Sequence, residues 1–99
     1  MEIKKEQNGT SLTMFLSGRL DTVAAADFEK ELEASLNDVS ALVLDCAELT
    51  YVASSGLRAF LMAQKRMNKQ GSMKVQNVNE TIMEIFDITG FADILTIEN

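Results

Sequence analysis

Ala41-Leu-Val-Leu-Asp-Cys-Ala-Glu-Leu-Thr-Tyr-Val-Ala-Ser-Ser-Gly-Leu-Arg-Ala-Phe-Leu61 passes from the pattern of a buried strand to that of an amphipathic helix. Its first residues, Ala41 to Leu44, form a short apolar run. That pattern predicts a strand over residues 41–45, covered on both faces. Further on, Leu57, Phe60, Leu61 and Met67 recur at helical spacing, while Arg58, Lys65, Arg66 and Lys69 fall mainly elsewhere on the wheel. The spacing predicts an amphipathic helix over roughly 55–69. Between the two lies a loop that finishes on Ser54, Ser55 and Gly56. Both serines therefore stand at a helix N-terminus, where backbone N–H groups lack partners and negative charge is favoured. A serine there can cap the helix, and it can carry a phosphate at little cost to the fold.

Upstream, residues 2–7 and 11–17 read as two strands around Asn8-Gly9, a hairpin signal. Asp21 or Thr22 is placed to cap a helix whose buried side includes Ala25, Phe28, Leu32 and Leu36. Gly71 stops the helix after the serines, and Met73 to Gln76 forms the next strand. Asn77-Val-Asn-Glu80 starts a third helix with a core stripe of Ile82, Ile85, Phe86 and Thr89 and a stop at Gly90. Ile94 to Ile97 reads as a last strand. The expected fold is α/β, with a mixed, mostly parallel sheet, an N-terminal antiparallel hairpin and about three main helices. There is no linker, repeat or low-complexity segment, so residues 1–99 are expected to form one domain.

Three segments of this chain resemble the STAS domain (sulfate transporter and anti-sigma factor antagonist). Leu49-Thr-Tyr-Val-Ala-Ser-Ser-Gly-Leu-Arg58 is similar to the family's signature loop, which reads roughly Asp/Ser-Ser-Ser/Ala-Gly-Leu after an apolar strand. Leu16-Ser-Gly-Arg-Leu-Asp-Thr22 resembles the Gly-Glu-Leu-Asp segment before the family's first helix. Ile85-Phe-Asp-Ile-Thr-Gly-Phe91 resembles Leu-Phe-Asp-x-Ser/Thr-Gly-Leu at the end of its third main helix. The three occur in family order and at family spacing.

The resemblance implies an anti-sigma factor antagonist. Such a protein, when unphosphorylated, binds an anti-sigma factor with serine kinase activity; phosphorylation ends the binding and a serine phosphatase restores it. It places the phosphate acceptor at Ser54, the cap at Ser55, and partner contact at Asp21, Thr22, Ala53, Ser54, Ser55, Gly56 and Arg58. Gly56, without a Cβ, is expected to admit a partner backbone. Two departures stand out. Ala53 replaces the aspartate or serine that many members carry, and the short helix that often follows the last strand is missing before Asn99. Both lean towards a second reading, a constitutive STAS adaptor subunit of a lipid-transport ABC system or signalling scaffold.

Composition bounds the alternatives. Histidine is absent, which rules out a Ser-His-Asp triad or a Cys-His pair within the chain and removes the commonest general base. No phosphate-cradling glycine motif occurs, which leaves weak nucleotide binding open but without a motif; no cofactor, no metal site and no catalytic activity are expected. A net charge of −6 argues against nucleic acid as a partner, and the basic residues after Gly56 read as a solvated face. No long apolar run suggests a membrane helix, and the start Met-Glu-Ile-Lys-Lys-Glu lacks a signal-peptide core. A single cysteine, Cys46, fits a cytoplasmic setting and a packing role. Asp45 is read as a group that bonds loop amides and shapes the turn before Glu48, rather than as a receiver-type phosphoacceptor, since the early chain offers only Asp21 towards the acidic pair that would hold magnesium.

Overall fold

The computed structural model describes residues 1–98. Strands β1 (Glu2–Asn8) and β2 (Ser11–Leu20) form the expected hairpin, followed by α1 (Thr22–Ser35), β3 (Ala41–Val52) and α2 (Ser54–Gln70). After these come β4 (Ser72–Gln76), α3 (Glu80–Thr89), a 3-10 turn at Phe91–Asp93, and β5 (Ile97–Glu98). The sheet order is β1-β2-β3-β4-β5, with β1 antiparallel to β2 and every later pair parallel. Each crossover steps in the same direction, and right-handed connections then put all three helices on one face.

On that face β2 buries Leu12, Met14 and Leu16, while Thr13, Phe15 and Ser17 on the other face are half-buried. The sequence pattern predicts β3 covered on both faces; instead its second face is only half-buried at Ala41 and Val43, because no helix lies over it. Helix α1 buries Ala25, Phe28 and Leu32 as its spacing predicts, with Leu36 buried at its end. The three helices lock through their phenylalanines. Phe60 meets Phe28 edge-on at 5.8 Å and Phe86 edge-on at 5.6 Å. Both separations suit the quadrupoles of aromatic rings.

Strand β3 departs most from expectation. It was expected to end at residue 45 but runs to Val52. Between Phe15↔Asp45 and Ser17↔Glu48, β3 uses one residue more than β2; it does so again between Gly18↔Leu49 and Arg19↔Tyr51. Each extra residue is a bulge. At the first, Asp45 Oδ1 accepts from Ala47 N–H at 3.0 Å; at the second, Thr50 Oγ1 donates to Gly18 O at 3.0 Å. Leu42, Leu44 and Cys46 are buried at the usual two-residue interval, and the bulges lengthen that interval to three for Leu49 and Val52. A three-residue interval does not look like a strand to a period-two reading.

Asp45 does what its sequence position suggests, and more. Its Oδ2 accepts from Gln76 Nε2 at 3.1 Å and Asn77 Nδ2 at 2.8 Å, so one carboxylate joins the bulge to the end of β4. Burial by itself would raise its pKa, but the three hydrogen bonds from Ala47, Asn77 and Gln76 outweigh it and hold the carboxyl below its ordinary value. A lowered folded-state pKa gives stability that is present above the ordinary carboxylate range and lost as pH falls through the folded pKa. Stability should therefore decline below about pH 4. Urea melts at pH 7 and in acid should show a smaller decline for Asp45→Asn; an equal decline would remove Asp45 from the account. Beside it, the buried Cys46 thiol is pushed up to about 12 by burial and by the charge of Asp45, which suits packing and leaves it neutral.

Two expectations near the C-terminal end need correction. Thr89 is exposed rather than in the core stripe, and its hydroxyl donates to Ile85 O at 2.6 Å. Ile94 caps the 3-10 turn, so of the strand expected over Ile94 to Ile97 only Ile97 lies in β5, which runs on to Glu98. Gly71 ends α2 as expected, and the position suits glycine, because a Cβ there would run into the carbonyl of Ser40.

Candidate functional site

Parallel pairing decides where the candidate residues meet. Leu20 lies opposite Val52, so the residues that follow each strand, Asp21 and Ala53, begin neighbouring helices at one end of the sheet. Ala53 N–H donates to Leu20 O at 2.8 Å and ties the two starts together. Asp21 caps α1, with Oδ1 accepting from Ala24 N–H at 2.9 Å, and Thr22 follows it, exposed. Ser54 is the first residue of α2 and is exposed. Arg58, one turn later, is also exposed. Asp21, Thr22, Ala53, Ser54 and Arg58 thus share one end of the molecule.

Ser55 and Gly56 do something else. The N-cap of α2 is Ala53, which offers no side-chain bond, and Ser55 lies inside the helix. Its Oγ is buried without a hydrogen-bond partner, so Ser55 is not the cap. A hydroxyl two positions past the cap lies beyond the place from which a side chain reaches back to the first-turn amides. Gly56 is buried. A Cβ there would stand 2.7 Å from Leu20 Cγ, 2.9 Å from its Cδ2 and 3.0 Å from Val52 Cγ1. The close approach that glycine permits is to this chain's own strands, not to a partner's backbone. Gly56→Ala should lower stability by about 1–2 kcal/mol, since overpacking exceeds the gain in helix propensity. An unchanged urea midpoint would show that Leu20 yields freely.

The chain belongs to the STAS domain family. The family's model, described as the STAS domain, matches residues 2–99. The anti-sigma-B factor antagonist of Bacillus subtilis is 29% identical over 98% of this chain and 90% of its own length. A solved anti-sigma factor antagonist from Mycobacterium paratuberculosis superposes with a TM-score of 0.87 at 21% identity, covering 97% of this chain and 83% of that one. The Bacillus cell fate determinant SpoIIAA, solved in its phosphorylated form, gives 0.77 at 17% identity over 99% of this chain and 92% of its own.

Within this STAS fold, two neighbours of the site escaped the sequence reading. Arg19 places its guanidinium 4.4 Å from the centre of the Tyr51 ring. The apolar Val23 of α1 is 76% exposed, on the rim of a cleft of about 210 Å3 lined by Met1, Ile3, Asp21, Val23, Ala24 and Asp27. Only the bulged register brings Arg19 and Tyr51 side by side, so the two segments that hold them do not announce the pair. Helix α2 also carries Arg58, Lys65, Arg66 and Lys69, four of the nine basic residues, and none of the fifteen acidic ones. None of the four forms an ion pair with another described residue. Among the described residues no cluster of three or more His, Cys, Asp or Glu side chains is arranged to hold a metal ion. No helix of the described residues is long and apolar enough to cross a membrane.

Proposed function

We propose that this chain is an anti-sigma factor antagonist switched at Ser54. Unphosphorylated, it binds an anti-sigma factor with serine kinase activity through the end of the sheet that presents Asp21, Thr22, Ala53, Ser54 and Arg58. Phosphorylation of Ser54 ends that binding, and a serine phosphatase restores it. One observation carries the reading: Ser54 stands exposed as the first residue of α2, beside the start of α1. A kinase can reach such a hydroxyl, and a phosphate on it costs the helix nothing, because the dipole favours anions there. The antagonist relatives, matched over nearly their whole length, support the same reading.

The switch then acts at the interface, through bulk and charge, and the fold stays as it is. The test uses wild type, Ser54→Ala and Ser54→Asp as baits in a lysate of the source organism. Wild type and Ser54→Ala should capture a kinase-type anti-sigma factor that transfers phosphate to Ser54 of the wild type, while Ser54→Asp should not capture it. Equal capture by all three, above all of transporter subunits, would sink the switch. The uncapped Ala53 favours that second reading, a constitutive adaptor, because it leaves the loop one polar group short for positioning an enzyme.

A further inference from the structure

We propose that Arg58 is a positioning residue that folds back along α2 and closes over a phosphate carried by Ser54, so that this chain's own helix holds the modified state. The proposal rests on the reading of Ser54 as the modified residue. Residues four apart on a helix are neighbours, with Cβ atoms about 5–6 Å apart, and Ser54 and Arg58 are both exposed. Arg58 makes no side-chain hydrogen bond or ion pair to another described residue, so nothing competes for its guanidinium. Helix α2 offers it no carboxylate either. The next basic residue along the helix, Lys65, is eleven positions from Ser54, about 16 Å at 1.5 Å per residue. Arg19, at the same end of the sheet, is already held over Tyr51.

The chemistry suits arginine in particular. A guanidinium can give a phosphate two parallel N–H···O bonds, which an ammonium cannot. Ala53 leaves the first turn of α2 without a side-chain cap, so the phosphate would also meet unpaired backbone N–H groups. The phosphorylated chain should then be more stable than the unmodified one. Its phosphate should also be doubly ionised at lower pH than a free phosphoserine, which keeps the charge on the switch constant near neutrality.

The test installs phosphoserine at position 54 by genetic encoding, in otherwise wild-type protein and in Arg58→Gln and Arg58→Lys, and follows the 31P resonance with pH at low salt. The midpoint of the second ionisation should lie about 0.5 pH unit higher in Arg58→Gln than in the Arg58 protein, with part of the shift restored in Arg58→Lys. Raising salt to about 1 M should shrink the difference. Phosphorylation should raise the melting temperature of the Arg58 protein more than that of Arg58→Gln. Identical midpoints in all three at low salt would overturn the proposal. Unmodified Arg58→Gln should melt with wild type, since Arg58 is exposed and unbonded, which separates a lost clamp from a damaged fold. Encoding the phosphate also separates the two readings. A flat titration removes Arg58 and leaves Ser54 to the capture experiment, and indifferent capture leaves the titration standing.

Discussion

Phe60→Ala should cost about 4 kcal/mol of folding stability, the largest single-residue loss in the chain, since truncating a buried phenylalanine costs about 3–5 kcal/mol. Phe60 is fully buried at the centre of α2, and its ring is the middle member of the edge-to-face row Phe28–Phe60–Phe86. Removing it leaves a cavity where α1, α2 and α3 meet, and breaks two aromatic contacts, each worth about 0.5–1.5 kcal/mol beyond area. A domain of this size is stable by about 5–15 kcal/mol, so the variant stands near the edge of folding. Phe28→Ala and Phe86→Ala break one contact each and should cost less. Urea melts followed by far-ultraviolet circular dichroism decide it. A loss under about 2 kcal/mol at position 60 would mean that the helices close over the gap.

Ser54→Asp should weaken binding to the captured anti-sigma factor by more than a hundredfold, which corresponds to about 3 kcal/mol. A charge forced against an apolar or acidic surface loses hydration without gaining a partner, and truncations of interface charge pairs show penalties of that order. The loss should not come from unfolding. An acidic group at the first position of a helix is favourable by about 0.3–1 kcal/mol, so the melting temperature should hold or rise slightly. Ser54→Ala should bind as wild type does. Isothermal titration of the three proteins against the purified partner measures both claims. Affinities within threefold of one another would leave a constitutive adaptor as the better account.

The amphipathic spacing of Phe28 and Leu32, and of Leu57, Phe60 and Met67, made the first two helices legible. Each buries one stripe, so its period appears in the chain itself. The start of α3 within Asn77-Val-Asn-Glu80 and its stop at Gly90 were legible for local reasons too, and the structure places the cap at Asn79, whose Oδ1 accepts from Ile82 N–H at 3.0 Å, and gives Gly90 a φ of 81°. The place of Ser54 at the start of α2 was legible from the serine pair ahead of the amphipathic run. The role of Ser55 was not. Whether a serine caps a helix depends on where the helix begins, and that is set by Ala53 bonding to Leu20 O on another strand.

Residue identity and contacts within a few residues suffice for the α/β alternation, the hairpin at Asn8-Gly9, the buried sides of α1 and α2, and the exclusion of histidine-based chemistry. The course of β3 beyond Asp45 depends instead on contacts with distant segments. Its two bulges are closed by Asp45 on Ala47 and by Thr50 on Gly18, and Asn79 Nδ2 then reaches back to Leu49 O at 2.7 Å from the start of α3. The Thr50 and Asn79 bonds join residues about thirty positions apart, of which a local pattern carries no trace, whereas the Asp45 bond spans two residues and was expected as a contact to loop amides. The same long-range pairing set Ser54 beside Asp21, turned Gly56 inward against Leu20, and left Arg58 unpaired on the outer face of α2.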